Sequence, residues 1–154
     1  VLILGSMPSR ESLARRQYYA HPRNAFWPIL VDLLHIQDAG YDARARQATK
    51  RGIAIWDVLS DCIRPGSLDS DIDEKTAAVN DFENFFLQHP QLSAIFFNGA
   101  KAESIYLKRV LPGLNQQCAS IPHYRLPSTS PANAALSFEQ KREAWRAILS
   151  AGVE

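Results

Sequence analysis

Four short apolar runs punctuate the chain: VLIL at 1–4, IAIWDV at 53–58, AIFF at 94–97 and the weaker IPHYRL at 121–126. Each is brief and rich in β-branched or aromatic side chains, which predicts strands rather than helices. Between them the apolar positions switch to helical spacing. NAFWPILVDLLHI puts Phe26, Ile29, Leu30, Leu33 and Leu34 on one face, and DARARQATKR predicts a polar second helix. DEKTAAVNDFENFFLQ predicts a third, with Val79, Phe82, Phe85 and Phe86 on one stripe, and Gly99 opens AKAESIYLKRVL, which Pro112-Gly113 ends. In the last helix Ser137 and Gln140 form a capping-box pattern, Trp145, Ile148 and Leu149 form the buried stripe, and Gly152 suits the stop. SDCIRPGSLDSDID, dense in turn-forming residues, reads as a long surface loop.

Strands alternating with helices predict an α/β fold: a three-layer α/β/α sandwich around a central four-stranded, mainly parallel sheet. With 154 residues, 46% of them apolar, one domain over 1–154 is the expectation. No apolar run approaches the roughly 20 residues that span a bilayer, and no secretory signal is visible, so a cytoplasmic protein without membrane partners is expected. The chain opens on Val1 inside a predicted strand, so further native residues before it are expected.

The formal charge of +1 neither advertises nor forbids a nucleic-acid partner, but Arg10, Arg15, Arg16 and Arg23 gather near the first loop. They read either as a basic patch or as an ordinary solvated face. Cys62 and Cys118 are far apart and lack metal-binding spacing, so no metal or cofactor is expected. The glycine pattern of a dinucleotide fold and the Gly-Lys-Ser of a P-loop are both missing.

In an open parallel sheet ligands bind beyond the carboxyl ends of the strands, so the loops starting at Gly5, Asp57, Asn98 and Pro127 should share one rim. Gly5-Ser6-Met7-Pro8-Ser9 has the makings of an anion-binding turn. Tyr18, Tyr19, His21 and Asn24 crowd the loop that follows. A tyrosine there either stacks on a planar ligand or packs the loop against the core, and Tyr18 favours packing. His21 either braces the loop or meets ligand. Asn24 caps the next helix through the amides of Phe26 or Trp27, or acts in the site. Asn98 is a helix cap or a reader of a base edge. Ser128, Thr129 and Ser130 offer hydroxyls and amides suited to phosphate, or form a plain polar turn.

GSMPS, YYAHPRNAFW, FFNG and PSTSPANA together resemble the motifs of the uracil-DNA glycosylase superfamily, over essentially the whole chain. The YYAHPRNAFW segment is similar to that of the mismatch-specific branch, and the full set looks most like the hypoxanthine-DNA glycosylase branch. Two departures stand out: Met7 occupies the place where the mismatch-specific branch has a water-positioning asparagine, and Ser128-Thr129 replaces the His/Asn-Pro of the second motif. The resemblance implies a monofunctional, monomeric glycosylase that flips a deaminated or mismatched base out of DNA and hydrolyses its N-glycosidic bond. It implies that Asn24 orients the water or the base, with Asp57 in reserve for water activation. Gly5, Ser6, Met7, Tyr19, His21 and Asn98 would line the base pocket, Tyr19 stacking on the base. Ser128, Thr129 and Ser130 would grip flanking phosphates, and Ala132-Asn133-Ala134 would fill the vacated stack. A lesion-binding module without hydrolysis and a nucleoside hydrolase remain open alternatives at this level.

Overall fold

Along the first strand the side chains divide by parity: Leu2 and Leu4 enter one apolar core, Ile3 the other. The same alternation recurs in the third apolar run, where Ile95 and Phe97 face one way and Phe96 the other. A strand buried on both faces reads as an unbroken apolar run, which is why these segments show no polar alternation. The computed structural model describes residues 1–152.

Its central sheet pairs β2 (Ala54–Asp57), β1 (Leu2–Gly5), β5 (Ile95–Asn98) and β6 (His123–Leu126) in that order, all parallel. Helices α2 (Phe26–Leu34), α3 (Tyr41–Lys50) and α7 (Phe138–Trp145) cover one face. On the other lie α4 (Phe82–Gln88), α5 (Ala100–Ile105) and α6 (Gln116–Ala119). This is the expected three-layer α/β/α arrangement. A short α1 (Arg10–Arg15) follows β1 on the rim. Because the chain leaves β1 toward β2 and later returns to β1's other side as β5, the topological switch lies at β1, and the ends of β1, β2 and β5 open a crevice there. No described helix is long and apolar enough to cross a membrane.

Local chemistry explains the element ends. The first four amides of a helix have no intrahelical acceptor, so Pro28, third in α2, sacrifices no bond. Asn24 Oδ1 accepts from the Phe26 amide at 2.9 Å, although Ala25 occupies the cap position itself. The capping box at Ser137 and Gln140 forms as expected, and the chain beyond α7 tightens into a 3-10 turn ending at left-handed Gly152.

Three expectations are corrected. The helix read over DEKTAAVNDFENFFLQ begins only at Phe82, capped by Asp81; Ala78–Val79 instead form β4, antiparallel to β3 (Leu59–Asp61). Asn80 is the reason: its amide groups bond the Val58 and Asp57 carbonyls, the latter at 2.8 Å, and hold the preceding backbone extended. The region read as a long loop after β2 accordingly starts with β3 and contains a 3-10 turn at Asp69–Asp71. The helix read over residues 100–111 also narrows, to α5 followed by a π-helical stretch at Tyr106–Val110.

Trp145 joins the core to the rim. It is fully buried, meets Phe26 edge-on with centroids 5.6 Å apart, and donates Nε1–H to the Pro127 carbonyl at 2.9 Å. Trp145→Phe keeps most of the packing but leaves that carbonyl unpaired, so it should destabilise the fold by about 1–3 kcal/mol, read as a lower urea midpoint.

Candidate active site

The carboxyl ends of the strands enclose a cleft of about 380 Å3. Its floor is set by the register Gly5↔Asp57 between β1 and β2. Glycine is required at this place because the Asp57 carboxyl lies directly over it: a Cβ on residue 5 would stand 2.5 Å from Asp57 Oδ1 and 3.1 Å from the Tyr19 hydroxyl oxygen. The Asp57 carboxyl and the Tyr19 hydroxyl, from a strand and a loop, therefore meet over Gly5 within a few ångströms.

Asp57 is buried, and its carboxyl makes no hydrogen bond among the described residues. Burial penalises the charged form and pushes it up to about 7, with Arg64 pulling down and Asp69 pushing further up. The Tyr19 hydroxyl is likewise buried without a partner. Burial first, then the nearby Asp57, holds it far above the ordinary phenol range, while the Asn98 amide pulls the other way. A buried donor without a partner is costly, and beside a carboxyl of raised proton affinity it marks a place where a ligand completes the bonding.

The loop carrying Tyr19 is fixed from several sides. Trp27 Nε1 donates to the Tyr18 carbonyl at 2.8 Å, the Tyr18 amide donates to the Tyr41 hydroxyl, and the Ala20 amide to Ser12 Oγ. Tyr19 itself adopts a left-handed backbone conformation, φ 55°, which an ordinary residue holds only when its surroundings enforce it. Its ring stacks on Phe26 with centroids 3.9 Å apart, leaving at most one face for a ligand. Tyr18 reaches the cleft too, though its backbone is occupied in bracing. Asn24 lines the same cleft; the Phe26 amide engages its Oδ1, and its Nδ2 donates to no described group.

Asn98 is no helix cap, since Gly99 takes that position, with φ 101°. Its amide embraces Thr129 instead: Nδ2 donates to Thr129 Oγ1 at 2.8 Å and Oδ1 accepts from the Thr129 amide at 2.9 Å. Thr129, only 1% exposed, is thus turned into the protein, whereas Ser128 and Ser130 remain at the cleft. The Ser128 and Ser130 hydroxyls accept from the amides of Ser130 and Ala132 and keep their own protons free to donate. The Ala25 amide, donating to the Thr129 carbonyl at 3.0 Å, joins this turn to the Asn24 loop.

The cleft thus gathers every sequence-predicted site residue except Ala134 and His21; the His21 Nδ1 accepts from the Arg23 amide and braces its own turn. Met7 contributes its backbone and an apolar flank, and packs partly on the second core.

Sequence reasoning missed one wall. The segment from Arg64 to Asp71 folds back over the first motif, with Arg64 donating to the Met7 and Pro8 carbonyls and Arg10 to the Pro65 carbonyl. The buried Ser6 hydroxyl donates to Asp69 Oδ1. Lys141 was missed as well: only 6% exposed, its ammonium donates to the Asn133 carbonyl at 2.7 Å and the Ser130 carbonyl at 3.4 Å, underpinning the serine-rich turn. No cluster of metal-ligating side chains occurs among the described residues.

The sign of the Asp57 effect on stability follows from its raised value. The folded state holds the proton up to about pH 7, whereas an unfolded aspartate releases it near its model value of 3.8, so folding stability falls as pH rises between the two. Asp57→Asn should therefore raise the melting temperature at pH 8 and change it little near pH 3.5.

Comparison with known proteins agrees with this geometry. Residues 1–149 match the family model described as the uracil DNA glycosylase superfamily. A protein of Methanosarcina acetivorans named hypoxanthine DNA glycosylase is 35% identical over 150 residues, covering 96% of this chain and 89% of the relative. A protein of the same name from Methanosarcina barkeri is 35% identical over 104 residues, 66% of this chain and 65% of that one. The solution NMR structure of a uracil DNA glycosylase candidate from Methanosarcina acetivorans superposes with a TM-score of 0.72 at 32% identity, covering 96% of this chain and 89% of the other.

Proposed function

From the premise that the chain belongs to the uracil DNA glycosylase superfamily, we propose that it excises hypoxanthine from DNA by hydrolysis, with Asp57 and Asn24 at the reacting bond. The observation that carries this reading is the unpartnered buried Tyr19 hydroxyl meeting the Asp57 carboxyl over Gly5 in a cleft large enough for a purine.

A base inside a duplex cannot reach such a cleft, so the nucleotide must rotate out, at a cost that is smallest for a damaged or mispaired base. The free face of Tyr19 receives the extruded ring. Ser128 and Ser130, whose hydroxyl protons are uncommitted, hold a flanking phosphate; Thr129 serves by fixing the turn through Asn98. Such backbone grip positions the strand without reading sequence.

Cleavage of an N-glycosidic bond leaves a cationic sugar and an anionic base. Preorganised donors lower the barrier when they face the developing charge. Two donors are available, the Tyr19 hydroxyl and Asn24 Nδ2, the latter held in place because its own oxygen is anchored to the α2 amide. Water attacks the sugar, and its proton needs an acceptor. Asp57 suits that task because burial places its proton affinity near neutrality, where a general base is most effective. Met7 brings no polar group to the first motif, so the work of water activation passes to the second strand.

Abasic-site formation on duplexes carrying hypoxanthine, uracil, xanthine or mispaired thymine tests the reading, with hypoxanthine expected to be cut fastest. Asn24→Ala should slow single-turnover excision by roughly 100-fold or more; undiminished excision would remove Asn24 from the mechanism. Because Asp57 acts as the carboxylate, the wild-type rate should climb with pH and level off above about 7. Asp57→Asn should be slow and lose that dependence, and an unchanged pH profile in the variant would assign the proton to another group.

A further inference from the structure

Large apolar side chains that remain exposed are Leu13, Ile63, Leu68, Leu87, Leu107, Tyr124 and Phe138; of these, Leu68 alone lines the cleft. It is 51% exposed, at the head of the 3-10 turn Asp69–Asp71. Resting on the glycosylase reading above, we propose that Leu68 is the wedge that enters the base stack and occupies the gap left by the extruded nucleotide.

The serine-rich turn on the same cleft is poorly equipped for that role. Its tip consists of Ser130, Pro131, Ala132 and Asn133, and the one longer side chain, Asn133, is tied down by its amide donating to the Ser128 carbonyl at 3.0 Å. None of these can reach into a stack without giving up an internal bond or lacking length. Leu68 has the length, no polar atom to desolvate in its side chain, and about half of its surface already exposed. Proteins that kink a duplex insert apolar side chains of this kind between base steps.

A wedge must also be rigid, or the ordering cost on binding erases its contribution. The Leu68 segment is anchored on both sides. Arg64 holds the Met7 and Pro8 carbonyls, Arg10 holds the Pro65 carbonyl, and the Arg10 amide donates to Ser67 Oγ at 3.4 Å. Beyond the leucine, Asp69 accepts from the buried Ser6 hydroxyl, and the Leu68 amide donates to Asp71 Oδ2. The leucine is therefore presented from a frame bolted to the first motif, beside the slot that the base must enter. Exposed Arg10, Arg16 and Arg23 lie on the segments bordering the same opening and suit the phosphates of the strand being parted.

The experiment uses full-length protein and one oligonucleotide, carrying hypoxanthine with 2-aminopurine beside it, as a duplex and as a single strand. Wild-type binding to the duplex should raise the 2-aminopurine fluorescence as the stack opens. In Leu68→Ala that rise should largely vanish and duplex excision should slow by about tenfold or more, while single-strand excision stays within about twofold, since no stack needs filling there. Leu68→Met, which keeps length and apolarity, should restore the duplex rate. The proposal fails if Leu68→Ala keeps the fluorescence rise and the duplex rate, or if both substrates slow alike, which would place Leu68 in the base pocket instead. A wild-type protein that cuts hypoxanthine from neither substrate would overturn the glycosylase reading itself, a result separable from failure of the wedge.

Discussion

The absence of one side chain, at Gly5, lets the site exist. Parallel pairing of β1 with β2 brings residue 5 level with Asp57, and only a bare Cα there allows the carboxyl to lie across the strand end and the Tyr19 hydroxyl to descend beside it. The same approach removes both groups from water, which is what raises the proton affinity of Asp57 and strands the tyrosine donor. Backbone geometry thus creates the electrostatics of the cleft.

Around this point the rim is a set of mutually locked loops. Asn98 at the end of β5 grips Thr129 beyond β6; the Thr129 carbonyl takes the Ala25 amide; Asn24, one residue earlier, is held by the start of α2. Trp145 supports the arrangement from below through Pro127. Loops tied in this way behave as part of the scaffold, so the groups lining the cleft owe their placement to bonds outside it.

Much of this was legible beforehand, for identifiable reasons. Strands buried on both faces leave unbroken apolar runs, helices leave their periodicity, and strand ends in a parallel sheet must share a rim, so Gly5, Asp57, Asn98 and the 128–130 turn could be grouped without coordinates. The functional identity drew on motif likeness rather than on periodicity. What stayed hidden depends on contacts across the chain. Asn98 before a glycine looks like a cap until Thr129 is seen to claim it. Ser67 to Asp71 look like solvated loop because their fixing partners, the Arg10 amide and the Ser6 hydroxyl, lie about sixty residues earlier in the chain. The short β4 escaped because Asn80 enforces extended backbone through two long-range bonds that compete with a locally helical pattern.

Lys141 carries an implication for what leaves the enzyme. An amine that attacks the sugar in place of water would form a Schiff base and open the way to strand scission. Lys141 is the lysine that underpins the cleft wall, yet no lysine lines the cleft among the described residues, and its ammonium points into the protein, occupied by the Ser130 and Asn133 carbonyls. In the glycosylase proposed above, water is then the attacking group, and its product would be an intact phosphodiester chain with a vacant deoxyribose.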